Sequence, residues 1–335
     1  MILAGDIGGT STRLGRFELA GGNPVLLAAE KYSSRDHAGL EPILRAFLAA
    51  HPGRVQSACF GIAGPVVDGR AQTPNLPWVI EEASVSAALG GGQVWLINDL
   101  EANAFGVGVL GTADLVDLNP GAAGDPQGNA AIISAGTGLG EAGFFFDGQR
   151  LRPFAGEGGH ATFAPLDEEQ AALAAHLRGK FGHVSVERVL SGPGLVEIYQ
   201  FLCATGRAPE NPSLANKPRE ALAGAIAHGA LTGNCATCQR AVEMFVRVYG
   251  AEAGNLALKL KATRSVFVGG GIAPKLLPKL REPAFLEAFL DKGRMRALLE
   301  PVPVRVILND DAALLGAALC AALRSGQTTH AWLHA

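Results

Sequence analysis

Short apolar runs that end on glycine or on an Asn-Asp pair alternate along this chain with segments of helical spacing. Ile2–Asp6 is apolar and closes on a carboxylate, and Gly8-Gly9-Thr10 follows. Thr12–Leu19 then alternates, with Leu14, Arg16 and Glu18 set against Arg13, Gly15, Phe17 and Leu19. Two runs about a Gly-Gly pair predict a β-hairpin. Leu40, Ile43, Leu44, Phe47 and Leu48 recur every three or four residues and predict a helix over Leu40–Ala50. Buried strands are expected at Gln56–Ala63, stopping at Gly64-Pro65, and at Val94–Ile97, ending on Asn98-Asp99. Val85–Leu89 between them reads as helical. Strands alternating with helices point to an α/β fold.

The same outline returns downstream. Ala130–Ser134 predicts a strand, Gly136-Thr137-Gly138-Leu139-Gly140 a turn, and Ala142–Phe146 the returning strand. Ser265–Val268 ends in Gly269-Gly270-Gly271, and Val304–Leu308 in Asn309-Asp310-Asp311. Helices are expected at Glu168–Gly179, Gly194–Thr205, Lys217–His228, near Cys235–Leu260 and at Ala312–Ser325, with short pieces at Phe285–Asp291 and Met295–Leu299. Gly121–Gly128 reads as a loop. The halves rhyme in architecture without repeating in sequence.

A chain of 335 residues exceeds one usual core, so two domains are expected. Hydrophobic residues at 48% and charged residues at 18% describe a globular protein. A formal charge of −3 and the lack of a Lys/Arg-rich block speak against a nucleic-acid partner. No apolar run reaches the roughly 18 residues of a membrane span. The start Met-Ile-Leu-Ala-Gly-Asp has no basic lead, so a secretory signal is not expected. Cys59, Cys203, Cys235, Cys238 and Cys320 are odd in number and scattered, which suits a reducing cytoplasm. Cys235-x-x-Cys238 has no second ligand pair to complete a zinc site and reads as two small residues near a helix start.

The glycine clusters carry the chemistry. A tight turn with outward N–H groups can hold phosphate oxygens, and glycine admits the ligand closely. Gly5-Asp6-Ile7-Gly8-Gly9-Thr10 adds a hydroxyl and a carboxylate able to hold a water of Mg²⁺. Ile133–Gly140 supplies a second such turn, and two of them suggest two jaws on one polyphosphate. The chain has no G-x-x-x-x-G-K-[ST], which excludes a P-loop. Gly106-Val107-Gly108-Val109-Leu110-Gly111 follows a helical stretch, not a strand, so it lacks the dinucleotide-binding context. Asp99 ends a strand where ligands sit in open α/β sheets, and it could accept a proton from an attacking hydroxyl. It could equally cap the helix that begins at Leu100. Glu157, His160 and Glu187 could match vicinal hydroxyls or bind a metal.

The two turns together with Gly269-Gly270-Gly271-Ile272 resemble the phosphate-1, phosphate-2 and adenosine motifs of the actin/hexokinase/heat-shock ATPase fold. Ile62-Ala63-Gly64-Pro65-Val66, Thr73-Pro74-Asn75, Leu96-Ile97-Asn98-Asp99, Ala155–His160 and Val186–Gly192 are similar to the bacterial glucokinase pattern, in order and over nearly the whole chain. The resemblance implies a two-domain, actin-like (ribonuclease H-like) α/β fold with a cleft. A small domain would hold residues 1–109 plus 307–335 and a large one residues 110–306. It implies a cytoplasmic homodimeric kinase at the first step of glycolysis, which moves the γ-phosphoryl of ATP to the 6-hydroxyl of glucose. Asp99 would be the base. Asn75, Asn98, Glu157, His160 and Glu187 would hold the sugar. Gly5–Thr10, Gly136, Thr137, Gly138, Gly140 and Gly269–Ile272 would hold ATP, with Mg²⁺ reached from Asp6 through water. A sugar touching Asn75, Asn98 and Asp99 in one half and Glu157, His160 and Glu187 in the other would draw the cleft closed. The same fold could serve another hexose or an N-acetylhexosamine, or a non-catalytic sugar sensor. Ala161–Gln170 contains no Cys, unlike the zinc-containing sugar kinases and repressors. The first strand starts at once, so a helix-turn-helix DNA-binding domain is not expected.

Overall fold

A computed structural model of the chain describes residues 1–73 and 76–327. Its contacts divide the chain into two compact units. The first holds Met1–Asp114, Phe146–Ala155 and the residues from Asn309 on; the second holds Leu115–Phe145 and Gly156–Leu308. The excursion Phe146–Ala155 thus groups with the first unit, whereas the sequence assigned all of 110–306 to one body.

In the first unit the chain runs through β1 (Ile2–Ile7), β2 (Ser11–Ala20), β3 (Asn23–Ser33), α1 (Leu40–Ala50), β4 (Ser57–Ile62), the short strands β5 (Val66–Val67), β6 (Arg70–Gln72) and β7 (Val79–Glu81), α2 (Glu82–Ala88), β8 (Gln93–Asn98) and α3 (Asp99–Val107). The main sheet has the order β3-β2-β1-β4-β8, with β1, β4 and β8 parallel. Both faces are covered. Leu3 and Ile7 join Ile43, Leu44 and Phe47 of α1 on one side. Ile2 and Ala4 join Leu314, Ala317 and Ala321 on the other. Each fully buried Leu, Ile or Phe stabilises by about 2 kcal/mol relative to exposure. β3 escaped the sequence reading because its eleven residues form an edge strand in which only Pro24 is buried, so no apolar alternation marks it.

The second unit contains β9 (Leu115–Asp117), β10 (Ala130–Ala135), most of β11 (Leu139–Phe146), α4 (Glu168–Phe181), α5 (Gly192–Ala204), α6 (Arg219–Leu231), α7 (Ala236–Leu260), β13 (Ser265–Gly269), α8 (Leu277–Leu280), α9 (Pro283–Leu290), α10 (Arg296–Leu299) and β14 (Val304–Ile307). The strand β12 (Leu151–Gly156) precedes α4. The sheet runs β11-β10-β13-β14-β9, with β10, β13 and β14 parallel. The 25-residue α7 buries one long face in the core beneath it.

The closing helix α11 (Ala312–Arg324) belongs to the first unit and packs on α3. A Cβ on Gly106 would overlap the Ala312 carbonyl, and one on Gly316 the Ala102 carbonyl. The literal G-x-G-x-x-G therefore begins with a helix-packing glycine on α3.

Candidate active site

The parallel strands of the first unit end in register. Ile7 of β1 stands beside Ile62 of β4, and Ile62 beside Asn98 of β8. This places the turn after β1, the Ala63-Gly64-Pro65 segment and Asn98-Asp99 along one sheet edge, where ligands sit in open α/β sheets. The hairpin turn is tight: Gly8 N–H donates to the Ser11 carbonyl at 3.0 Å. Ser34 Oγ donates to the Gly8 carbonyl at 2.8 Å and lies 3.0 Å from Thr12 Oγ1, both hydroxyls being buried. Gly5 and Ile7 face inward. The position of a Cβ on Gly5 is filled by the Phe60 ring, and Ile7 is fully buried. Gly8, Gly9 and Asp6 are half-buried, and Thr10 is exposed. Burial raises the Asp6 carboxyl to about 6, against the opposing pull of Arg13 and Lys31.

Asn98, not Asp99, is the helix cap. Its side-chain oxygen accepts from Leu100 N–H at 2.8 Å, and its Nδ2 donates to the Gly64 carbonyl at 3.2 Å. Asp99 is the first residue of α3, half-buried, with Oδ1 2.9 Å from Leu100 N–H. Its carbonyl accepts from Asn103 Nδ2 at 3.1 Å. Thr73 is buried against the Leu76 and Trp78 carbonyls. Asn75 beside it lies outside the described residues.

The second unit repeats the arrangement with other means. Ser134 of β10 pairs with Gly269 of β13, so the Gly136–Gly140 turn and Gly269–Ile272 share an edge. Gly270 adopts φ +80°, a left-handed conformation that favours glycine, and lies against the backbone of Ala135. Gly136 and Gly140 are half-buried and Thr137 is exposed. Ile272 packs on the core, and Gly271 is open. The turn is propped from outside its hairpin: Leu139 N–H donates to Glu187 Oε2 at 2.9 Å, and Gly192 N–H to the Gly136 carbonyl at 2.8 Å. A Cβ on Gly138 would meet Glu187 Oε2 at 2.6 Å. Tyr249 of α7, fully buried, accepts from Ala135 N–H at 3.2 Å and donates towards the Gly269 carbonyl at 3.1 Å. One hydroxyl thus ties the two strand ends that carry the two glycine turns.

The loops bearing Glu157, His160 and Glu187 are neighbours. Thr162 bridges to Ser185, and Val186 N–H donates to the Ala161 carbonyl at 2.9 Å. Glu157 and His160 are 65% and 64% exposed, with Oε2 and Nε2 3.9 Å apart, as the tight Gly156–Gly159 turn requires. The Glu187 carboxylate instead turns to the foot of the 136–140 turn, so it stands between the sugar-type residues and the phosphate-type turn. Among the described residues no group of three or more His, Cys, Asp or Glu is placed together as metal ligands would be. Cys235 is the N-cap of α7, its sulfur accepting from Cys238 N–H at 3.1 Å. Sequence reasoning missed Tyr249 and Glu141. Tyr249 reads as one more apolar position of a long helix, and Glu141 as a strand carboxylate with no motif of its own.

The family model for glucokinase matches residues 3–324. The chain belongs to the glucokinase family. A glucokinase from a Nostoc species is 42% identical over 96% of this chain and 99% of its own length. The crystal structure of a glucokinase from an Antarctic psychrotroph superposes with a TM-score of 0.81 at 32% identity, covering 96% of this chain and 98% of that one. A ROK-family glucokinase from Streptomyces griseus, solved with glucose and AMPPNP, gives a TM-score of 0.68 at 23% identity over 97% and 99% of the two chains, and shows the shared fold. The fold is that of the actin-like ATPase sugar kinases.

Proposed function

We propose that this chain transfers the γ-phosphoryl group of ATP to the 6-hydroxyl of D-glucose. It is an ATP-dependent hexose kinase by family. The observation that carries the reading is the juxtaposition in each unit: a glycine hairpin at the end of a parallel strand, with Asn98-Asp99 on the same edge in the first unit and Glu157, His160 and Glu187 on adjoining loops in the second.

Phosphoryl transfer has a loose transition state, so positioning and charge stabilisation supply most of the rate. Asp99 is assigned to orient the 6-hydroxyl and take its proton, from the first turn of a helix whose cap is provided by Asn98. Asn98 is then a sugar contact with limited capacity, since both its polar atoms are engaged, and it holds Asp99 in place. Glu157 and His160 are free to accept and donate to ring hydroxyls, and Asn75 is assigned to the same sugar. The Gly8–Thr10 and Gly136–Gly140 backbones are assigned to phosphate oxygens, and Gly269–Ile272 to adenosine. Gly5 and Ile7 serve by packing, which fixes Asp6 between them.

A hydrated Mg²⁺ fits Asp6. The carboxylate is half-buried and raised by burial, so a dication would favour its ionised form, and Thr10 adds an oxygen nearby in the turn. When bound, Mg²⁺ supplies charge neutralisation at the β- and γ-phosphate oxygens. The same reading makes the protein a cytoplasmic homodimer at the first step of glycolysis. Among the described residues no helix is long and apolar enough to cross a membrane.

The test is a coupled assay of ADP release against glucose, mannose, fructose and N-acetylhexosamines, with ATP, ADP and polyphosphate as donors. Glucose with ATP should give the highest kcat/KM. A far higher value for fructose or an N-acetylhexosamine would overturn the sugar assignment and leave the kinase assignment standing. Sedimentation tests the dimer.

A further inference from the structure

Glu141 lies in the middle of the second unit's candidate site, and nothing above gives it a role. It is on β11 two residues past Leu139, and it is 2% exposed. Its Oε1 meets no hydrogen-bond partner among the described residues. The 156–160 loop rests on this stretch of strand through its glycines. A Cβ on Gly158 would overlap Glu141 Oε2, one on Gly159 would overlap the Leu139 carbonyl, and one on Gly156 would stand 3.2 Å from the Glu141 carbonyl. The glycines of Gly156-Glu157-Gly158-Gly159-His160 therefore do more than turn the chain: they admit the Glu141 carboxyl directly beneath the loop.

We propose that Glu141 is a positioning residue for the sugar-binding loop, supporting Gly158 as a neutral carboxyl and displacing Glu157 and His160 when it ionises. This rests on the assignment of that loop to glucose.

The charges around it favour the neutral form. Burial, and then the Glu252 carboxylate on α7, push the Glu141 carboxyl up to about 7, while Lys259 on the same helix opposes this weakly. Lys259 is already engaged: its Nζ donates to Glu252 Oε1 at 3.0 Å, and Asn255 Nδ2 donates to Oε2 at 2.9 Å. Lys292, beyond Glu252, is held below its ordinary range by burial, with Asp291 and Glu252 opposing. From β10 the residue opposite is Ile133, which carries no charge. From the loop come Glu157 and His160, whose side chains are largely exposed. With Lys259 held by Glu252, a new negative charge at Glu141 favours admitting water, and Gly158 is backbone that covers it.

The sign follows from linkage. A carboxyl raised from its ordinary 4.5 to about 7 in the folded state costs nothing below pH 4.5. The cost grows as pH rises through that window and is complete above it. Glucose affinity should weaken over the upper part of the same window, and ATP affinity, which does not use the 156–160 loop, should change less.

Glu141→Gln keeps the shape and cannot ionise. Two measurements on the full chain test the proposal between pH 5.5 and 8.5: glucose binding by titration calorimetry, and Tm. Wild type should lose glucose affinity about three- to tenfold from pH 6 to 8, an ordinary size for a positioning effect. Glu141→Gln should stay flat apart from any slope common to both proteins. Its Tm should rise relative to wild type as pH increases. An unchanged Tm difference across the range would show that Glu141 does not titrate there and would overturn the proposal. So would a glucose-affinity profile in Glu141→Gln that parallels wild type. If Glu141→Gln does not fold, Glu252→Gln gives the same decision: removing the second charge should move the wild-type transition to lower pH, and an unmoved transition overturns the proposal. Wild type that binds no glucose at any pH would instead sink the sugar assignment itself.

Discussion

The two glycine hairpins have the same backbone plan and are held by different side chains. The first carries its own charge and is fastened by its own backbone and by Ser34, 26 residues on. Asp6 stands on the strand that enters it, and Asp99 stands along the same edge. Its bonds are the Gly8–Ser11 backbone contact and the Ser34 hydroxyl. The second has no ionisable residue from Gly136 to Gly140 and is propped by side chains far away in sequence, Glu187 and Tyr249. The difference separates chemistry from placement. Substitutions beside the first turn should act on kcat, and substitutions of the props of the second on KM and stability.

The largest effect expected is at Asp99. Asp99→Asn should lower kcat by about 10² to 10⁴ while glucose affinity stays within about tenfold, because Asn keeps a hydrogen bond but takes no proton. Fluorescence titration with glucose, beside steady-state kinetics, checks the split. An unchanged kcat would reduce Asp99 to a helix residue. Asp6→Asn should come next, lowering kcat by about 10² and raising the Mg²⁺ concentration for half-maximal rate, since a charged ligand is replaced by a neutral one. A Mg²⁺ requirement identical to wild type would remove Asp6 from the metal.

The next three substitutions sharpen the comparison. Glu157→Ala and His160→Ala should raise the KM for glucose about tenfold and leave that for ATP nearly alone, as for uniform binding contacts. Glu187→Ala should raise both, because its carboxylate holds the Leu139 N–H at the foot of the phosphate-type turn. A glucose-only effect in Glu187→Ala would return Glu187 to the sugar set and weaken the idea of a propped turn. The smallest effect belongs to Tyr249→Phe. It leaves the buried Ala135 N–H without its acceptor, which costs about 1–3 kcal/mol. A fall in Tm of several degrees and an ATP KM rise of about threefold are expected. A Tm drop with unchanged ATP KM would make Tyr249 a core residue only.

Much of this site was legible beforehand because it depends on local chemistry. A glycine pair between two apolar runs has few foldings open to it, and Ile2–Ala20 and Ala130–Phe146 both became hairpins. Asn98-Asp99 at the end of an apolar run did mark a strand end, yet the capping role open to Asp99 in the sequence is filled by its neighbour. The choice fell to Asn98, whose Nδ2 also reaches Gly64 across the sheet edge, a contact between residues 34 apart. The long edge strand β3 and the three short strands between 66 and 81 were unreadable, since edge and paired-loop strands carry little alternation to detect.

Sequence alone determined the fold class, the family and the two glycine turns, because all three reside in short contiguous patterns: period, glycine placement and motif order. Only the tertiary structure decided what holds those turns. Glu187 reaches Leu139 across 48 residues and Tyr249 reaches Ala135 across 114, and Glu141 acquires its setting from Gly158 on one side and Glu252 on the other. A carboxylate or hydroxyl has no fixed role in the chain. Its pKa and its partner are set by burial and by neighbours that only the packed fold brings within reach.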